Sequence, residues 1–153
     1  MSLSNTVITF IGAGNMAKSI AAGLIKAGVP SKHIRLSAPA SDKLQAKAEN
    51  LAVGDYSDNK QAVKDANVVI LAVKPAKISE VCNQIKQIIE PQTLVISVAA
   101  GITCELMSNH LGYEQAIVRC MPNTPSMIEK GASGLFANAQ TSTEQKVLAE
   151  AIL

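Results

Sequence analysis

Thr6-Val7-Ile8-Thr9-Phe10-Ile11-Gly12-Ala13-Gly14-Asn15-Met16-Ala17 decides how the rest of the chain is read. A β-branched run ends in Gly-x-Gly-x-x-Ala, and the residues from Lys18 to Ala27 then read as a helix. Gly12 lets the chain turn sharply off the strand. Gly14 has no side chain to hold a pyrophosphate away from the backbone, and Ala17 is small enough for helix and strand to pack closely. The first amides of the helix then face the phosphates with the positive end of the helix dipole behind them. A tight turn without any ligand is the bland alternative. The strand before the glycines and the helix after them favour a dinucleotide site.

Strands and helices alternate downstream. Ile20, Ala21, Leu24 and Ile25 share one face of the first helix, which Gly28 and Pro30 stop. Ile34–Ser37 reads as a second strand, and Ser41 as the cap of a helix reaching about Asn50. Ala52–Tyr56 is a weak third strand, followed by a helix capped by Ser57 or Asp58 and running to Asp65. Val68–Val73 is apolar throughout, as a strand covered on both faces must be. A helix over Ile78–Ile89 follows, with Val81, Ile85, Ile88 and Ile89 as its buried face, and Pro91 breaks it. Leu94–Val98 is another buried strand, Thr103–Leu111 a capped helix, and Ala116–Cys120 the next strand. Gly131–Ala137 adds a last strand, and Thr141 or Ser142 caps a helix running to Leu153 without a stop signal. The expectation is a Rossmann-type doubly wound α/β fold with a mostly parallel sheet, forming one domain over residues 1–153.

In such folds ligands lie beyond the carboxyl ends of the strands. Those ends carry the candidate residues. Val73, Lys74 and Pro75 should border a cofactor, although a solvated lysine at a strand end reads equally well. Val98, Ala99 and Ala100 are small enough for a flat ring to lie against the backbone, or form only a tight turn. Met121-Pro122-Asn123-Thr124-Pro125 holds an amide and a hydroxyl between two prolines, a rigid presentation suited to a ligand. Asn59 is a turn residue that could also reach the cofactor.

The second strand bears on which dinucleotide. An NAD site places an acid about 20 residues beyond the glycines to bind the ribose 2′-hydroxyl. Here Leu36-Ser37-Ala38-Pro39-Ala40 holds none before Asp42, while Ser37, Ser41 and Lys43 offer donors or charge. The missing carboxylate favours NADP(H), with NAD(H) possible. Arg35 lies inside the strand and does not decide the matter.

Composition excludes other classes. A formal charge of +2 and four aromatic residues give no basic stripe or stacking platform for nucleic acid. Cys82, Cys104 and Cys120 are odd in number and widely spaced, which speaks for a reducing compartment and buried thiols rather than disulfides or zinc. His33 and His110 have no ligands at metal-binding spacing, so no metal is expected. No run approaches the ~18 apolar residues of a membrane span, and no secretory signal is recognisable, so the expected location is the cytoplasm.

Four segments resemble one known family, the pyrroline-5-carboxylate reductases. They are Phe10–Ala17, Leu71–Pro75, Ser97–Thr103 and, most specifically, Arg119–Pro125, in the family's order and together covering Val7 to about Gly134. The resemblance implies NAD(P)H-dependent reduction of the cyclic imine 1-pyrroline-5-carboxylate to L-proline. It implies that Ile11, Gly12, Ala13, Gly14, Asn15 and Met16 wrap the pyrophosphate. Ala38 and Pro39 border the adenosine ribose, with a polar contact from Asn59. Ala72, Val73, Lys74 and Pro75, with Val98, Ala99 and Ala100, line the path to the nicotinamide, and Met121 to Pro125 stand near the ring and the imine. The imine is best reduced as its iminium, whose carbon is electrophilic; no general acid is evident in the chain.

The family's enzymes also carry a second, all-helical domain that supplies the dimer interface and most substrate groups. The chain ends before it, so the expectation is a cofactor-binding half with little turnover alone, the full-length form being a homo-oligomer. Two other readings remain at this stage. One is another NADP-dependent oxidoreductase of related fold, such as a deazaflavin-linked or hydroxyacid enzyme. The other is a non-enzymatic nucleotide-sensing domain.

Overall fold

The computed structural model describes residues 3–39, 45, 46, 48, 51–120 and 134–153. The described strands are β1 (Ile8–Ile11), β2 (Ile34–Ser37), β3 (Gly54–Tyr56), β4 (Val68–Leu71), β5 (Leu94–Ser97), β6 (Ala116–Cys120) and β7 (Leu135–Ala137). The helices with described bounds are α1 (Asn15–Lys26), α2 (Asn59–Ala62), α3 (Ile78–Ile85), α4 (Cys104–Leu111) and α5 (Thr143–Ile152). The strands form one sheet in the order β3-β2-β1-β4-β5-β6-β7. All pairings are parallel except β6 with β7, which is antiparallel, with Cys120 opposite Leu135.

The register is level across the sheet. Ile11 stands opposite Ser37 and Leu71, Leu71 opposite Ser97, and Ser97 opposite Arg119. The carboxyl ends of β1, β2, β4 and β5 therefore finish side by side. The two sheet faces follow from strand alternation. Ile8, Phe10, Ile34, Leu36, Ile70 and Ile96 pack against Ala17, Ile20 and Leu24 of α1 and Leu148 and Ile152 of α5. Ile11, Val69, Leu71, Val95 and Ile117 face the other way, onto Ile78, Val81 and Ile85 of α3 and Met107 and Leu111 of α4. Both faces of the central strands are covered, as their unbroken apolar character required.

Several boundaries differ from those read in the sequence. α1 begins at Asn15, three residues early, because the glycine turn is shorter than the apolar spacing shows. α2 stops at Ala62 rather than Asp65. Thr9 Oγ1 and Arg35 Nη1 both donate to the Ala62 carbonyl, and Asp65 adopts φ +60°, outside a helix. β4 and β5 end two and one residues earlier than expected, at Leu71 and Ser97. α3 ends at Ile85, although Ile89 is still buried. The helix expected over Ser41–Asn50 falls mostly outside the described residues; Gln45, Ala46, Ala48 and Leu51 are helical. Caps were legible: Asp58 accepts from Lys60 N–H, Thr103 from Leu106 N–H, and Ser142 forms a reciprocal capping box with Gln145. Among the described residues no helix is long and apolar enough to cross a membrane.

Candidate dinucleotide-binding site

The turn between β1 and α1 stands where the strand order reverses, with β2 on one side of β1 and β4 on the other. That reversal opens a crevice beyond the carboxyl ends. Gly12 forms its inner wall. Its φ is +104°, its N–H donates to the Ser37 carbonyl at 2.7 Å, and a Cβ there would drive into the Ala72 carbonyl, 2.8 Å from its carbon. Gly14 forms the outer lip. It is exposed, with φ −78° and ψ −171°, and a Cβ there would meet nothing within 4 Å. Among the described residues nothing demands a glycine at position 14. Open space held clear in front of a helix N-terminus is what a pyrophosphate needs.

The electrostatics agree. Gly14 is the N-cap of α1 and offers no side-chain oxygen, and the first turn contains no acidic residue. The first helical bond runs from Lys18 N–H to the Gly14 carbonyl at 3.0 Å, so the amides of Asn15, Met16 and Ala17 precede the ladder. By contrast, α4 and α5 have side-chain caps and an acid in the first turn, Glu105 and Glu144. α1 alone among these three leaves its positive end for an anion.

The neighbouring strand ends complete the crevice. Ala72 N–H donates to the Ile11 carbonyl at 2.8 Å, and Val98 N–H to the Leu71 carbonyl at 3.2 Å, so both segments continue the sheet past its last rungs. Val73 is half-buried and its Cγ1 lies 3.2 Å from where a Gly12 Cβ would stand. Lys74 is exposed and precedes a 3₁₀ turn begun by Pro75. Val98 and Ala99 are buried, Ala100 is exposed, and the Ala99 N–H is held by Ser97 Oγ at 3.2 Å. Ala38, half-buried, donates its N–H to the Tyr56 carbonyl at 3.0 Å, and Pro39 is exposed beside it.

Asn59 reaches the same edge from α2. Its Oδ1 accepts from the Ser37 hydroxyl at 2.6 Å, and its Nδ2 donates to Gln84 Oε1 at 2.8 Å. Ser37 is fully buried and its proton is spent on Asn59, so it does not offer a free hydroxyl to a 2′-phosphate. Arg35 turns away from the crevice. Its guanidinium donates to the Ala62 and Lys64 carbonyls at 3.0 and 2.6 Å and lies over the Tyr56 ring. Thr9 and Arg35 thus anchor α2. Sequence reasoning passed over both in that role, although a threonine inside an apolar strand is a usable signal. Gln84 gave none, standing on an exposed helix surface like any solvated glutamine.

Met121 to Pro125, Ser41, Asp42 and Lys43 lie outside the described residues. Beyond the crevice, a groove of about 600 Å³ borders Lys60, Glu80, Gln84 and Lys86 on the α2–α3 side, and a smaller one of about 240 Å³ separates β6 and β7 from α5. The cysteines are free, and burial disfavours their thiolates. Burial raises the Cys82 thiol to about 11 and also raises Cys120; in Cys104 burial outweighs the lowering by Arg119.

The level parallel edge and the strand-order reversal at β1 define a Rossmann-type fold of the kind NADP oxidoreductases share. The chain belongs to the family described as NADP oxidoreductase, coenzyme F420-dependent, whose model matches residues 7–101. It is 45% identical over 143 residues to the pyrroline-5-carboxylate reductase of Pseudomonas aeruginosa, covering 94% of this chain and 52% of that one. With the Escherichia coli protein of the same name the identity is 33%, covering 90% and 51%. A solved pyrroline-5-carboxylate reductase from Coxiella burnetii superposes with a TM-score of 0.89 at 45% identity, over 96% of this chain and 55% of the other. A Plasmodium falciparum pyrroline carboxylate reductase with NADP bound shares the fold, with a TM-score of 0.83 at 24% identity, over 99% and 55%. The chain spans about half the length of the curated relatives it matches.

Proposed function

We propose that this chain is the cofactor-binding half of a pyrroline-5-carboxylate reductase, serving NAD(P)H-dependent reduction of 1-pyrroline-5-carboxylate to L-proline in the cytoplasm. The observation that carries the cofactor reading is the clear space at Gly14 before the uncapped end of α1. The substrate reading is supported by relatives of that name aligned over more than nine-tenths of the chain.

In this reading the amides of Asn15 to Ala17 hold the pyrophosphate, with Ile11 to Gly14 as its floor. Ala38, Pro39 and Asn59 border the adenosine ribose. Ala72 to Pro75 and Val98 to Ala100 form a small-residue wall that keeps the nicotinamide flat and water away from one of its faces, with Met121 to Pro125 beyond. The bound cofactor supplies the hydride, and the protein's share is to hold the electrophilic carbon in line with it. No described side chain is assigned the proton. The remaining half of a full-length form supplies substrate groups and the homo-oligomer contact.

NADPH is the preferred cofactor in this proposal, because residues 34–39 carry no carboxylate to repel a 2′-phosphate. With Ser37 committed to Asn59, the donors left to that phosphate are Ser41 and Lys43. The family's description favours a second reading, a deazaflavin-linked NADP reductase. Its model stops at residue 101, whereas the reductase relatives align over nearly the whole chain. NADPH oxidation by a full-length form, with pyrroline-5-carboxylate, short ketoacids and a deazaflavin offered in parallel, separates the two. Turnover with the imine alone supports the proposal, and turnover with the deazaflavin alone overturns it.

A further inference from the structure

We infer that Gln84 is a positioning residue for the adenosine end of the dinucleotide, acting through Asn59; the inference rests on the cofactor reading above. A carboxamide side chain presents a donor on one side and an acceptor on the other, and its two ends are nearly equal in shape. Which end faces a ligand is therefore decided by what holds the amide from behind. Here two groups hold it. The Ser37 hydroxyl donates to Asn59 Oδ1 at 2.6 Å, and Gln84 Oε1 accepts from Asn59 Nδ2 at 2.8 Å.

The two anchors differ in strength. Ser37 is fully buried, yet a hydroxyl both donates and accepts, so it tolerates either end of the amide. In the arrangement present, Gln84 Oε1 takes one Asn59 N–H, so that with Ser37 the Asn59 amide is held at both ends and its plane is fixed. One N–H of Asn59 is then spent on Gln84, and the other is left for a ribose oxygen at the carboxyl end of β2. That end has no acid to bind a ribose hydroxyl in the usual way, so a fixed neutral donor takes the place of a carboxylate. α2 is itself anchored at both ends, by Asp58 before its first turn and by Thr9 and Arg35 at Ala62. The backbone of Asn59 is thus fixed, and its side-chain orientation is the remaining freedom that Gln84 removes.

The test compares Gln84→Leu and Gln84→Glu with the wild-type chain by calorimetric titration of NADPH and NADH. Thermal unfolding of each is followed in parallel. Leucine abolishes the acceptor, and glutamate keeps it. Gln84→Leu should weaken both cofactors by about 3- to 10-fold, the worth of one ordinary hydrogen bond, with the unfolding midpoint within about 2 °C of wild type, as for other exposed substitutions. Gln84→Glu should keep NADH within about twofold of wild type, since the retained acceptor still takes the Asn59 N–H. NADH is the informative cofactor for this variant because it has no 2′-phosphate for the new charge to oppose.

Unchanged affinity in Gln84→Leu overturns the inference. So does equal weakening of NADH in the leucine and glutamate variants, or weakening matched by a lowered midpoint, which would make Gln84 merely structural. Failure of the wild-type chain to bind either cofactor is read before any variant and overturns the underlying cofactor reading as well.

Discussion

Gly12 and Gly14 stand two residues apart on one turn, yet the inner wall and the outer lip of that turn obey different constraints. Gly12 is required by the protein. Its φ of +104° disfavours any side chain, and the end of β4 leaves no room for one. Gly14 has an ordinary backbone conformation, and no described residue stands within 4 Å of where its Cβ would go. The motif combines a residue that the fold needs with one that packing among the described residues does not require. The second is the stronger functional signal, because packing gives no competing account of it.

The largest effect should come from the inner wall. Gly12→Ala combines left-handed strain with a clash against backbone that cannot move freely, and should cost about 3–5 kcal/mol. Urea or thermal unfolding should show it as a fall in midpoint of roughly 10 °C for a chain of this size. A variant as stable as wild type would mean that the close approach of Gly12 to Ala72 is absent.

The outer lip should respond in the opposite sense. Gly14→Ser supplies a helix cap and reduces the freedom of the unfolded chain, so stability should hold or rise by roughly 0.5–1 kcal/mol. In the proposed site the hydroxymethyl group would take the phosphate's place, and NADPH affinity should fall by about tenfold or more, the loss of at least one hydrogen bond to a charged group. Calorimetry and unfolding on the same variant read both quantities. Retained affinity would break the contrast between the two glycines.

A smaller effect sharpens the comparison at the helix ends. Ser142→Ala removes the side-chain half of the capping box on α5, leaving the residue 142 N–H to Gln145 Oε1, and should cost about 1 kcal/mol. NADPH affinity should not change, because that cap serves the fold and stands in another turn. An affinity loss in calorimetry would tie α5 to the crevice.

A further contrast is a pH dependence from the buried Cys82 thiol on α3. Burial raises Cys82 in the folded chain to about 11, above the ordinary 9.0. Because its folded value is raised, the stabilisation is fully present below pH 9 and is lost as pH rises from 9 through 11. Unfolding midpoints at pH 8 and pH 10.5 should therefore fall further in wild type than in Cys82→Ala. An equal fall in both would show that the thiol contributes nothing to the alkaline loss.

Much of this was legible in the sequence, for physical reasons. β2 and β6 matched their expected bounds because Pro30 or Gly112 stands before them and Pro39 or Pro122 comes two residues after them, marking the strand ends clearly. The glycine turn was legible because its spacing reflects steric limits that few residues meet. Helix ends were less so. α2 is cut short by Thr9 and Arg35, two residues distant in sequence that take the carbonyl at which it ends. The role of Arg35 was hidden for the same reason: a strand residue looks alike whether its head reaches a phosphate or a helix end. Ser37 was misjudged as an available donor, since burial and the bond to Asn59 are long-range facts. Gln84 left no trace, because an exposed glutamine on a helix has no pattern that marks its partner.

We propose that the uncapped end of α1, beside Gly14, holds a dinucleotide's phosphates. Calorimetric titration of the wild-type chain with NADPH and NADH side by side tests it most directly. Saturable binding of one molecule per chain is expected, with NADPH the tighter. Absence of binding by either cofactor would contradict it.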